Sequence, residues 1–431
     1  MKRAFITMVL VGILGVANAQ NNSTVVNHVS EVTAISRVWG DGRKVETVVL
    51  NYDTPIRNKS LTAKSYTVDG KDVIRIYAND APQRAAKGRD GQYVIIELKA
   101  DVDLNAQPKQ PTAADMQKKK ERDRIQGGPG LRAGWSTGGD DDYPGNAIVY
   151  QKEKISTTKG KSILPDAAPW SSTREKCLVA DDFKQDVFVS PYTGQALPYN
   201  IFLPTSYDAS KRYPLVLFIH DAGTASRPVK QTLYQGTGAI SWAEPETQKR
   251  HECIVVAPEY PVVTVDDSMN YSHHLDATIA LLKDLQQRYS IDANRIYVTG
   301  QSMGCMSSIV LMLKEPNMFA GALLVAGKWN PELMRPLDKQ NLWIISCNGD
   351  ASSTTLQGQA VNLWRSQGSK VAEATWDMTL PTAGLSAAAD KMRAEGTHLF
   401  FTHLTGGSHR ATWFVAYGIP SVQDWLFEQH R

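Results

Sequence analysis

Cysteine is scarce in this chain of 431 residues. There are four, at positions 177, 253, 305 and 347. So few, so widely spaced, exclude a disulfide-stapled scaffold, and none has zinc-ligand spacing. They read as buried free thiols, with a single bridge left open. A dominant charge is lacking too. The formal net charge is +3 and no long Lys/Arg stripe stands out, which argues against nucleic acid as a partner. The one basic cluster, at 118–122, is mixed with acid and reads as a solvated surface or linker. Beyond the first residues there is no run of about 18 apolar residues, so no membrane span is expected. No repeat recurs at a fixed period. The Asp140-Asp141-Asp142 run lacks the alternating ligands and terminal Glu of an EF-hand and reads as a turn. No metal or organic cofactor is implied.

Hydrophobic residues make up 42% of the chain and charged residues 21%, a balance suited to a globular protein of two domains. Residues 1–19 read as a signal peptide: Lys2 and Arg3, an apolar stretch to Val16, then Ala17-Asn18-Ala19. This predicts export to the periplasm or medium. Residues 20–102 read as an all-β sandwich, with short Val/Ile/Tyr-rich runs punctuated by Asp41-Gly42, Asp69-Gly70 and Asp90-Gly91. Residues 103–178 are rich in Pro, Gly, Lys, Asp and Ser. They are expected to form an irregular inter-domain region, completing the sandwich through the short run at 147–151. From 179 to 431 apolar strand-like runs alternate with helical patterns. That alternation predicts an α/β domain with a mostly parallel sheet flanked by helices.

The strongest local signal is Gly300-Gln301-Ser302-Met303-Gly304, between a strand-like run and a helical one. A turn this tight holds Ser302 in a strained conformation, and side chains at 300 and 304 would clash, hence the glycines. The Met303 amide, at the helix start, is placed to donate to a developing oxyanion. A serine nucleophile needs a base, and the base an orienting acid, in the chain order Ser, acid, His. Among His398, His403, His409 and His430, the reading favours His409, in a loop straight after the last strand. Asp350, directly after the run at 342–347, is the expected acid, with Asp377 and Asp390 as weaker competitors. The second oxyanion donor is expected from the loop His220-Asp221-Ala222-Gly223, at the Ala222 amide. Trp329, Trp413 and Tyr260 are candidates for a substrate pocket.

On these segments, together with those at 197–204, 213–220, 291–304 and 407–413, the catalytic half resembles bacterial esterases related to feruloyl esterases and polyhydroxybutyrate depolymerases. The front half looks like the immunoglobulin-like domain that precedes some of them. The resemblance implies an α/β-hydrolase fold and a Ser302-Asp350-His409 triad. It also implies action on small or polysaccharide carboxylic esters of feruloyl or acetyl type. The chain departs from the family pattern at Asp221, where glycine is usual, and at Cys305, where a second glycine often follows the elbow. Two rivals share the sequence evidence. One is a prolyl-oligopeptidase-type serine peptidase, for which Asp221 and Glu259 lie near the right loops. The other is a catalytically silent carbohydrate-binding protein.

Overall fold

The computed structural model describes residues 28–103, 117, 144–191 and 194–431. The expected signal peptide, the basic cluster at 118–122 and the aspartates at 140–142 lie outside the described residues.

The front half is built on a five-stranded sheet. Its strands are β1 (Val29–Trp39), β2 (Gly42–Ile56), β4 (Val73–Asn79), β5 (Gly91–Leu98) and β10 (Arg174–Cys177), in the order β10-β1-β2-β5-β4. A smaller sheet runs β3 (Tyr66–Val68), β6 (Ile148–Gln151), β9 (Trp170–Ser171), and a short hairpin joins β7 (Ile155–Ser156) to β8 (Ser162–Ile163). The side chains of β1 alternate between buried and half-exposed, as a strand with one core-facing side requires. Val48, Leu50, Tyr52 and Ile96 meet Tyr66 and Val149 in one core, where the two tyrosine hydroxyls share a hydrogen bond of 2.7 Å. The stretch read as irregular therefore carries strands. β6 adds to the small sheet, and β10 pairs parallel with β1.

The second half is a nine-stranded sheet in the order β11-β12-β14-β13-β15-β16-β17-β19-β18. Its strands are β11 (Lys184–Val189), β12 (Ala196–Phe202), β13 (Tyr213–Ile219), β14 (Ile254–Pro258), β15 (Ile291–Gln301), β16 (Gly321–Val325), β17 (Leu342–Cys347), β18 (Ala372–Asp377) and β19 (Leu399–Thr405). β12 runs antiparallel to both its neighbours, β11 and β14, and all other pairs are parallel, which makes this an α/β-hydrolase sheet. Every residue of β13 is buried. Leu215, Leu217 and Ile219 enter the core on one face, and Val216 and Phe218 the core on the other. A strand covered on both sides has no room for a polar alternation, which is why the run is continuously apolar. Each such side chain contributes about 1.5–3 kcal/mol by burial. Among the described residues no helix is long and apolar enough to cross a membrane. All four cysteines are buried and free.

The turn between β1 and β2 is wedged into the second half. Val38 belongs to the core beneath the nine-stranded sheet. Arg37 pairs with Glu244 at 3.2 Å, and the Arg43 guanidinium lies 4.2 Å from the centre of the Tyr234 ring. A methyl group at Gly40 would sit 2.5 Å from Cβ and Cγ of Phe414, closer than side-chain atoms approach. Because Phe414 Cβ is fixed to its backbone, the strain has no cheap outlet. Gly40→Ala is expected to destabilise the protein by about 1–3 kcal/mol, seen as a lower unfolding midpoint. An unchanged midpoint would mean the two halves do not press together at this turn.

Candidate active site

Ser302 is the single residue between the end of β15 and the helix Met303–Lys314. Its backbone stands at φ 55°, ψ −117°, outside the conformations L-residues favour, at a cost of about 1–3 kcal/mol. Two backbone bonds hold it there: its N–H donates to Val325 O at 3.0 Å, and its carbonyl accepts from Met306 N–H at 3.1 Å. The flanking glycines are required by contact. A Cβ on Gly304 would lie 1.9 Å from Ile219 O, and one on Gly300 2.4 Å from the backbone of Gly304. Cys305, where a glycine was expected from the resemblance, is fully buried. Its bulk is accommodated by Gly327, where a Cβ would come within 2.4 Å of the Cys305 side chain.

Asp350 follows β17 and caps the helix Ala351–Ser366, its carboxylate accepting the Ser353 N–H at 3.3 Å. The cap uses Oδ1. The other oxygen, Oδ2, lies 2.5 Å from His409 Nδ1. The loops carrying the two residues cross at bare backbone: a Cβ on Gly349 would sit 2.1 Å from Gly407 O. His409 is not in a flexible loop, as its Gly/Ser-rich surroundings suggested. It is the first residue of the helix His409–Ala416, capped by the Ser408 hydroxyl, which accepts the Ala411 N–H at 3.3 Å. His409 Nε2 lies 2.9 Å from Ser302 Oγ. A carboxylate at Nδ1 selects the tautomer with its proton there, which leaves Nε2 free to accept the serine proton. The imidazole is 39% exposed and the Asp350 side chain 11%, so the imidazole reaches solvent while the carboxylate behind it is covered.

The Met303 N–H lies in the first helical turn, where backbone amides have no intrahelical acceptor. Ala222 lies in the turn after β13, half-buried. Asp221 folds back on this turn: its Oδ1 accepts the Gly223 N–H at 2.7 Å. Of the aromatic candidates, Trp413 stands edge-on to His409 with ring centres 5.4 Å apart. Tyr260 and Trp329 were expected at the pocket, but each is enclosed, at 0% and 2% exposure. Tyr260 hydrogen-bonds Thr278 through its hydroxyl at 2.8 Å. With no exposed surface, neither ring is offered to a ligand. Among the described residues no three His, Cys, Asp or Glu side chains converge as a metal site. Asp377 bonds Thr379 and Asp390 pairs with Arg393, away from His409.

His220 and Glu259, which the sequence placed near the site's loops, are both buried, and that burial was not foreseen. Burial holds the His220 imidazole below its usual value and pushes the Glu259 carboxyl well up. A charged residue closing the apolar run at 254–258 was the available signal.

Gly304→Ala is expected to move the elbow against β13 and lower turnover by about 100-fold, since misplacement near 1 Å costs that much. A melting curve beside the rate separates this from global unfolding. The pH dependence of stability has a definite sign at His220. Just below pH 6.5 the unfolded chain binds a proton that the folded imidazole resists, so stability falls as pH drops through that range. Denaturant titrations of the wild type and His220→Asn at several pH values should show the slope flattened in the variant. Equal slopes would contradict a buried neutral imidazole.

Comparison with known proteins adds the following. A domain described as "Esterase Ig-like N-terminal domain" matches residues 31–164, and the family described as "Putative esterase" matches residues 190–416. Acetylxylan esterase A of Aspergillus oryzae is 27% identical over 163 residues, covering 36% of this chain and 50% of that protein. Acetylxylan esterase A of Emericella nidulans is 28% identical over 172 residues, covering 38% and 50%. The chain thus spans about half the length of the curated relatives it matches. A solved structure titled as a thermostable esterase superposes with a TM-score of 0.72 at 24% identity, covering 94% of this chain and all of that one, and so shares the fold of both halves. The esterase match takes in more than half of the 431 residues and contains the elbow, Asp350 and His409, so the chain belongs to that esterase family, with its Ig-like domain in front.

Proposed function

We propose that this protein is a serine carboxylic-ester hydrolase. The observation that carries the reading is the pair of contacts at His409: 2.9 Å to Ser302 Oγ and 2.5 Å to Asp350 Oδ2. Ser302 Oγ attacks the ester carbonyl as its proton passes to His409 Nε2. Asp350 stabilises the imidazolium. The amides of Met303 and Ala222 hold the oxyanion. As the tetrahedral intermediate collapses, His409 protonates the departing alkoxide. Water then gives its proton to His409 and attacks the acyl-enzyme, releasing the acid and restoring the serine.

The substrate we assign is an acyl ester of a carbohydrate, of acetyl or feruloyl type. The acetylxylan esterases among the relatives favour acetyl. An aminopeptidase reading is disfavoured because Glu259, which such an enzyme would turn toward the substrate amine, is only 2% exposed and bonded inward. A silent carbohydrate-binding protein would have no need of the strained serine or of its histidine partner. Division into a sandwich up to about residue 178 and a catalytic domain from 179, and export through the leader at 1–19, complete the proposal.

The test is a panel of acyl esters, from acetyl to feruloyl, on wild type and variants. Ser302→Ala is expected to lower kcat by about 10⁴-fold or more, and Asp350→Asn by a factor of about 10⁴. A fluorophosphonate probe should label Ser302 in the wild type and nothing in the alanine variant. Ester hydrolysis surviving in Ser302→Ala, or aminoacyl anilides outrunning every ester, would defeat the reading.

A further inference from the structure

We infer that His220 and Glu259 are positioning residues, which clamp the loop from 220 to 227 at both ends onto the segment after β14 and so fix where the Ala222 amide points. The inference rests on the ester-hydrolase reading, in which that amide holds the oxyanion.

The entry to the loop is fixed by His220, whose ring is fully buried. Its Nδ1–H donates to the carbonyl of Asp221 at 2.7 Å, and its Nε2 accepts the N–H of Tyr260 at 3.1 Å. One nitrogen must donate and the other accept, so only the neutral Nδ1–H tautomer satisfies both. The exit is fixed by the same short segment. Ser226 N–H donates to Tyr260 O at 2.8 Å, and its hydroxyl donates to Pro261 O at 2.5 Å. Glu259 Oε1 accepts the N–H of Arg227 at 3.2 Å. Ser226 itself sits at φ 66°, a strained conformation that needs such ties. Ala222 lies between the two anchored ends.

Glu259 is an expensive residue for this place. Its side chain is 3% exposed, and an uncompensated buried carboxylate costs several kcal/mol. Burial raises its affinity for a proton, and both oxygens are engaged: Oε1 accepts the Arg227 N–H and Oε2 accepts the Thr232 hydroxyl at 2.5 Å. An apolar side chain would pack there at lower cost but would leave the Arg227 amide with only the Thr224 carbonyl of its own loop, at 3.1 Å, and no tie to the segment after β14. The geometry therefore gives Glu259 a task in aiming the loop.

The experiment compares Glu259→Leu and Glu259→Gln with the wild type, using a short acyl ester and an aryl boronic acid. The boronate adduct on Ser302 places an oxygen in the oxyanion site and so reads the donors directly. One oxyanion donor is worth about 100- to 1,000-fold, so a misaimed amide in Glu259→Leu should lower kcat by about 10- to 100-fold. KM should stay within about threefold, because the loss falls on the transition state. Boronate affinity should weaken by the same factor as kcat. Glu259→Gln keeps an acceptor for Arg227 and a donor for Thr232, and should recover rate and boronate affinity to within about threefold of wild type. If Glu259→Leu does not fold, Thr232→Val, which frees one oxygen of the acid, should show the same paired loss on a smaller scale. Leucine or valine variants with wild-type kcat and boronate affinity overturn the clamp, as does a kcat loss without a matching loss of boronate affinity. Hydrolysis surviving in Ser302→Ala would instead sink the underlying reading, so the two failures are distinguishable.

Discussion

The backbone of Ser302 is held where an L-residue does not rest by itself, and much of the second half can be understood as what keeps it there. β13, β15 and β16 bring Ile219 O, Gly300 and Val325 O around the elbow. The contacts are so close that two of the three neighbouring positions tolerate only hydrogen as a side chain. The strain is local, and the support is a sheet whose strands are buried on both faces where they reach the elbow. A single turn on a smaller scaffold would relax. This is why the serine sits over the middle of a nine-stranded sheet.

The same logic extends to the partners of the serine. Asp350 and His409 both open helices, and each is fixed by a cap at that helix's first turn. In Asp350 one carboxylate oxygen serves the cap and the other serves the imidazole. One side chain thus serves both as the cap of its helix and as the partner of the imidazole. The bare crossing of Gly349 over Gly407 lets the two loops lie close enough for this division of labour.

Much of this was legible beforehand because it depends on chain order and local pattern. An elbow pentapeptide, an aspartate after one strand and a histidine after the last are neighbours only if the strands are parallel, and the alternation of runs predicted that they are. What escaped depends on contacts between distant segments. Tyr260 and Trp329 stand at strand ends, where an aromatic can face either the opening or the core, and spacing does not distinguish the two. The short strand β10 pairs parallel with β1 across a long gap, which no turn signal announces. The Gly/Ser-rich stretch before His409 suggested mobility, whereas Ser408 within it starts a helix. The Asp221 and Cys305 departures from the family pattern are absorbed locally. The first is folded into a tight turn and the second is matched by Gly327.

The wedge of the β1–β2 turn against Phe414 joins a segment made early to one made late. Phe414 belongs to the helix that begins at His409, so the helix carrying that imidazole is braced from outside its own half of the fold. Long-range contacts of this kind form last, because distant segments must first be brought together. Whatever displaces the front half at this turn is felt at the helix that presents His409 to Ser302, and the sandwich acts on the site without touching it.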